Sequence, residues 1–110
     1  MKIVIGSKKQ EMKINEMGSI AHSMFPEIDA IIFKGSFRLG IRDALENCRF
    51  ESWNEVSQQP VHVRKRFFES FLRKSIPYLE KTGVNKEAVD SITAELMKEN
   101  EKYLRTNQEE

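Results

Sequence analysis

The segment Val61–Leu79, VHVRKRFFESFLRKSIPYL, decides how this chain folds. On a helix at about 100° per residue, Val61, Val63, Phe67, Phe68, Phe71 and Leu72 gather within about half of the circumference. Three phenylalanines in five positions give this face more apolar area than any other segment of the chain. The opposite face carries His62, Arg66 and Arg73 nearly in line, and Lys65 stands four residues before Glu69. One side reads as core and the other as a cationic surface. Ser75-Ile76-Pro77 then reads as a break, because serine is a good N-cap and proline fits the first turn of a helix. A new helix starting at Ser75, beside Arg73 and Lys74, predicts an anion site: free backbone N–H groups and the positive dipole end point outward together.

Working outward, the 110 residues suffice for one hydrophobic core without disulfide or metal. A composition of 39% hydrophobic and 32% charged residues belongs to a globular protein. No apolar run approaches the roughly 20 residues of a membrane span, and the first residues lack the apolar stretch of a signal peptide. Cys48 is the single cysteine, so no internal disulfide forms, and a cytoplasmic location is expected. The net charge of +1 names no partner, but its distribution is uneven. Residues 1–33 balance, residues 34–83 carry a net +4, and residues 84–110 carry a net −3. A basic middle fits a domain that meets a polyanion through one surface; a solvated charge mosaic is the other reading.

Met1–Ile5 (MKIVI) alternates like a short strand, and Glu11–Ile14 (EMKI) reads as its pairing partner, although a disordered extension fits so short a hairpin equally. From Ile14 to Met24, Met17, Ile20, Ala21 and Met24 follow helical spacing until Phe25-Pro26 ends the helix. Asp29–Phe33 (DAIIF) reads as a buried strand or loop anchor closed by Lys34-Gly35-Ser36. Ser36 then caps a helix to about Arg49, with Phe37, Ile41, Ala44, Leu45 and Cys48 on its inner side. Arg38, Arg42 and Arg49 gather on its flank. Gly40 costs such a helix about 1 kcal/mol against alanine, which points to a close backbone approach there. Trp53 and Val56 read as buried, and Gln58–Pro60 as a turn into the central helix. Gly83 ends that region as a C′ residue, and Asn85 caps a last helix with the stripe Val89, Ile92, Leu96 and Tyr103. The expected fold is mainly α, a compact single domain of about five helices with a short N-terminal strand or hairpin. Residues 1–13 form the extension, 14–104 the helical domain and 105–110 a frayed tail.

Catalytic signatures are missing. His22 and His62 lie far apart, no Cys/His spacing suits a metal, and Cys48 sits on the apolar side of its helix as a buried thiol. No phosphate loop, HExxH or GxSxG occurs, and Glu51 and Glu55 read as a solvated pair. The chain reads as a binding protein, not an enzyme, with no cofactor and no metal.

Two anchors give that binding a direction. Phe25-Pro26 lies fifteen residues before Gly40-Ile41, and Arg38–Leu45 (RLGIRDAL) opens a helix; a basic helix follows and ends in Tyr78-Leu79. Over about residues 14–83 this resembles the ProQ/FinO family of RNA-binding proteins, which carry an FP or WP pair, a PLxxGIxxDL motif, a basic helix and a YL pair. Ser36 stands where that family has proline, the segment holding Trp53 is longer, and the family's glycine- and arginine-containing stretch after YL has no counterpart in Glu80–Ser91. The resemblance implies a monomeric RNA chaperone acting in post-transcriptional regulation. Such a protein grips the base of a terminator-type hairpin and its single-stranded 3′ tail. Arg38, the Ser75–Leu79 turn and one of Arg64, Lys65 and Arg66 would be its matched residues. From the residues themselves, Lys34, Arg38, Arg42, Arg73 and Lys74 supply phosphate contacts, and Ser75 with Tyr78 holds the strand's end. Such binding reads shape, phosphates and 2′-hydroxyls rather than base edges.

Two rivals use other features. Trp53-x-x-Val56, the Gln58–Pro60 turn and Val61-x-Val63 resemble a helix-turn-helix whose recognition helix is VRKRFFESFLRK, and MKIVI resembles the ribbon of a ribbon-helix-helix dimer. Either would make the chain a DNA-binding transcriptional regulator. A protein adaptor would instead use the stripe Val89–Tyr103 against a partner helix.

Overall fold

A computed structural model describes the backbone of residues 8–108 and the side chains of residues 8–104. Five helices follow one another: α1 (Lys8–Met24), α2 (Ala30–Cys48), α3 (Trp53–Ser57), α4 (Val61–Lys81) and α5 (Lys86–Gln108). The mainly helical, single-core fold expected from the sequence is the one observed. Helix α4 lies at its centre and packs chiefly on α2 and α5. Its inward face buries Phe67, Phe68, Phe71, Leu72 and Leu79, with Val61 and Val63 half-buried. The ring of Phe71 meets those of Phe37 and Phe68 edge to face, with centroids 6.1 and 5.6 Å apart.

The predicted break at Ser75 is absent. Helix α4 runs through Pro77, and Ser75 is buried inside it, donating from Oγ to the Phe71 carbonyl one turn earlier at 2.9 Å. An interior proline costs about 3 kcal/mol. Phe71 and Leu72 before it and Leu79 after it are all buried, at about 1.5–3 kcal/mol each. A break would expose one side of that set, so tertiary burial outweighs the lost hydrogen bond.

Similar overrides shape the first half. Ile14, Met17, Gly18 and Ala21 are buried at helical spacing, so the EMKI segment is part of α1, not a strand, and the helical region starts before residue 14. The predicted MKIVI strand lies outside the described residues. DAIIF is the beginning of α2: the Asp29 carboxylate accepts the Ile31 N–H at 2.9 Å as N-cap. Lys34-Gly35-Ser36 does not interrupt this helix, because Phe33 and Phe37 flank it one turn apart on the buried face. Ser36 is therefore a buried helix residue rather than a cap.

Helix ends follow the sequence more closely. Phe25-Pro26 closes α1. Gly83 takes φ +95°, donating to Glu80 at 3.1 Å while Val84 donates to Leu79 at 3.1 Å, a Schellman closure with Val84 and Leu79 both buried. Asn85 accepts the Ala88 N–H at 2.8 Å and starts α5. Glu55 is not merely solvated: its carboxylate takes the Glu51 N–H at 2.8 Å while Ser52 caps α3. The stripe of α5 is buried through Leu96, after which Asn100 and Leu104 turn inward and Tyr103 is 55% exposed. Glu101 already stands opposite Lys65, so α5 there passes the start of α4 and runs out of partner.

At Gly40 the backbones of α2 and α4 approach closely, as the interior glycine suggested. A Cβ at residue 40 would lie 2.9 Å from Ser75 Cβ and 3.0 Å from Ser75 Cα, and would overlap its Oγ. Gly40→Ala is expected to destabilise the fold by about 3 kcal/mol and lower the melting temperature by more than about 10 °C. Adding Ser75→Ala should not restore it, because crowding against the backbone at residue 75 remains; thermal unfolding by circular dichroism reads both. Conversely, Arg49 ends α2 in the left-handed region at φ 63°, a place glycine fills without strain. Arg49→Gly should stabilise by about 0.5 kcal/mol, measured by denaturant unfolding.

Candidate nucleic-acid interface

The two stretches that carry the family resemblance meet in space. Gly40 of RLGIRDAL lies against Ser75, and three residues further along each helix the Tyr78 hydroxyl donates to Asp43 Oδ2. Arg42 completes the cluster. Its Nε and Nη2 both donate to Asp43 Oδ1 at 3.1 Å, and Nη2 also donates to the Tyr78 oxygen at 3.3 Å. Asp43 is held below the usual carboxylate range by the Tyr78 hydrogen bond first, then by Arg42 and by the charge of Lys74, with partial burial opposing. Tyr78 is pushed up by the same hydrogen bond, by burial and by the Asp43 charge. Arg42 is likewise raised, chiefly by its hydrogen bond to Asp43. The cluster is a surface feature, with the Arg42 side chain 61% exposed, and with Lys74 exposed one turn before Tyr78 on α4. Its one carboxylate is outnumbered by two cations. No family model, curated protein or solved structure matches this chain.

The remaining residues singled out from the sequence are spread over several surfaces. Arg38 is exposed and reaches across to Glu11 of α1, with Nη2 3.1 Å from Oε1. Lys34 lays its stem over Gly18, its Cγ within 2.6 Å of where a Cβ there would sit, so its methylenes cover α1. Arg64 donates from Nε to the Gln59 carbonyl at 2.9 Å and ties the start of α4 to the preceding turn. Lys65 pairs with Glu101 at 2.9 Å, and that hydrogen bond and charge raise its pKa. Arg66 and Arg73 are exposed seven residues apart on one line of α4, without an ion pair to any described residue. Ser75 is buried and cannot touch a ligand, and the free N–H groups expected at its supposed cap are inside the helix.

Arg42, Lys74 and Tyr78 are therefore brought together. Arg64 and Lys65 sit about 14 Å away along α4, from nine or ten residues at 1.5 Å each. The residue that organises the cluster, Asp43, stands inside the RLGIRDAL motif, but its bond to Tyr78 spans 35 positions and no local pattern announces it.

The hydrogen bond between Tyr78 and Asp43 sets two pH limits. A carboxylate with a depressed pKa contributes stability above its unfolded value of about 3.9, lost as pH falls through the folded pKa. A phenol with a raised pKa contributes below its unfolded value of about 10, lost as pH rises through the folded pKa. Tyr78→Phe is expected to shrink both the alkaline limb, to which the raised Lys65 also contributes, and the acid limb, and to move the Asp43 carboxyl pKa upward. Thermal unfolding from pH 2 to 5 and from pH 9 to 12, with carboxyl-carbon NMR titration of Asp43, measures all three.

Proposed function

We propose that this chain is an RNA-binding protein of the chaperone type, acting on structured RNA in post-transcriptional regulation. Its ligand is a terminator-type hairpin with a single-stranded 3′ tail, bound by a monomer. The observation that carries this reading is the junction of Gly40-Ile41-Arg42-Asp43 with Tyr78-Leu79, the two motifs by which the chain resembles ProQ/FinO proteins. Motif residues that belong to a shared functional surface should converge, and these do. Arg42 and Lys74 there present charge to phosphates, while the Tyr78 oxygen is fixed between Asp43 and Arg42 at the edge of the seam. Arg73 and Arg66 extend the cationic line along α4. Among the described residues no helix is long and apolar enough to cross a membrane.

The DNA-binding alternative draws less support from the same geometry. Its recognition helix would be α4, which buries Phe67, Phe68, Phe71 and Leu72 at the middle of the core. Its supporting helix would be α3, only five residues long. A reading helix needs its face free for the major groove.

The test is a gel-shift titration at fixed salt against a hairpin with a 3′ U tail, the same hairpin without its tail, and a DNA duplex of equal length. Preference for the tailed hairpin is expected. Arg42→Gln with Lys74→Gln should weaken binding about tenfold and flatten the slope of log affinity against log salt by about one per phosphate contact removed. Lys65→Gln, whose cation already pairs with Glu101, should change binding least. Equal or tighter binding to the DNA duplex overturns the proposal.

A further inference from the structure

Away from the α2–α4 seam, α1, α3, the first turns of α4 and the end of α5 wall an open groove of about 690 Å³. That size lies within the range of small-ligand sites. Lys9, Lys13 and Arg64 line it with the single carboxylate Glu16, which pairs with Lys13 at 3.3 Å, so the groove keeps a net positive charge. Its walls are aromatic, with Tyr103 more than half exposed and Trp53 and Phe68 beside it. The Lys13 ammonium stands 5.2 Å from the Tyr103 ring centre and 5.5 Å from that of Phe68, so a cation is already held among the rings.

Asn100 points to what the groove takes. It is more than nine-tenths buried, it lines the groove, and its carboxamide has no hydrogen-bond partner among the described residues. No side-chain polar atom closed off from solvent goes unpartnered in the described structure. The carboxamide therefore reaches solvent, and the groove is the space it borders. An amide open to solvent on a residue otherwise mostly buried offers one acceptor and a donor pair at a fixed place, the pattern that a nucleobase edge satisfies.

We propose that this groove receives an unpaired nucleotide of single-stranded RNA, its base stacked on Tyr103 with its polar edge at Asn100, and its phosphate toward Lys9 and Lys13. Rings, amide and cations are all used by such a ligand. An acidic peptide would use the cations and the amide but leave the exposed ring of Tyr103 unstacked, and an apolar molecule would leave the cations and Asn100 unmatched. The choice of RNA rests on the function proposed above; the site itself is separate from the Arg42–Asp43–Tyr78 cluster.

Trp53 is the only tryptophan of the chain and lines the groove, so its emission is a direct probe. The full chain is titrated with hexauridylate, with inorganic phosphate and with hexaglutamate. Hexauridylate is expected to change the emission saturably, with the other two at least about tenfold weaker. Tyr103→Ser, at an exposed position that tolerates substitution, should weaken hexauridylate about tenfold, within the range for loss of one base–aromatic stack. Asn100→Ala should weaken it in the same direction, while Lys86→Gln, exposed at the start of α5 and outside both surfaces, should leave the Trp53 response unchanged. A silent Trp53, an equal response to either control ligand, or a response indifferent to Tyr103→Ser overturns the inference. Should hexauridylate fail while the tail-less hairpin still binds through Arg42 and Lys74, the groove assignment falls and the RNA reading stands. Should the hairpins fail while hexauridylate passes, the groove stands and the seam loses its role.

Discussion

Everything in this fold accommodates the contact between Gly40 and Ser75. Two helices can bring their backbones this close only where both side chains are small, and one of the two here is absent. The approach has a chemical consequence for the serine. With Gly40 pressed against it, the Ser75 hydroxyl has no room for an outside partner and turns back to the Phe71 carbonyl in its own helix. Around this point the bulky residues arrange themselves: Phe37 against Phe71 on the inner side, and Asp43 against Tyr78 at the rim. A core interaction and a surface cluster are thus set by one distance of closest approach.

The same geometry explains which cations are left to meet a ligand. Arg38 and Lys65 reach carboxylates of α1 and α5, and Lys34 spreads its stem on Gly18, so much of the basic surplus in residues 34–83 is engaged in holding the outer helices to the central pair. Exposed pairs of this kind contribute about 0–1 kcal/mol each, but they lower the field available to a polyanion at their positions. Arg66, Arg73 and Lys74 remain outward along α4 without an ion pair to a described residue, as do Arg49 and Lys81 at helix ends, while Arg42 is 61% exposed although it pairs with Asp43. Net charge for the segment overstated the cationic surface; the partition among partners describes it.

How much of this could be read beforehand follows a physical rule. Features set by one helix alone were legible: the phenylalanine face of α4, the Phe25-Pro26 stop, the Asn85 cap, the left-handed Gly83, and the need for a neighbour at Gly40. Features set by burial against a distant element were not. Ser75-Ile76-Pro77 and Lys34-Gly35-Ser36 both carry punctuation that ends helices in isolation, yet each lies between large side chains that the core takes from both sides. EMKI alternates over four residues, but Ile14 belongs to a longer series, Ile14, Met17, Gly18 and Ala21, whose period is that of a helix. For the surface, residue types pointed to Arg42, Lys74 and Tyr78. The bond of Tyr78 to Asp43, the pairing of Arg38 with Glu11, and a groove walled by four helices are long-range products of the fold.

The loss of the supposed helix start at Ser75 also changes the kind of anion recognition the chain can offer. A helix N-terminus binds through backbone N–H groups fixed in place, and it favours a compact terminal phosphate at one point. Side-chain cations on α2 and α4 are spread over several turns, which suits successive phosphates of a strand or duplex rather than one end group. On the proposed nucleic-acid reading, their attraction would act through counterion release, strong at low salt and indifferent to base identity. Discrimination among nucleic acids would then come from shape at the seam and from groups that engage bases directly. Of the described surfaces, the groove holding Asn100 and Tyr103 is the one that combines an unpartnered amide with an exposed ring, and it lies on helices that the α2–α4 contact does not involve except through α4. Helix α4, continuous across Pro77, is what joins the two surfaces in one rigid body.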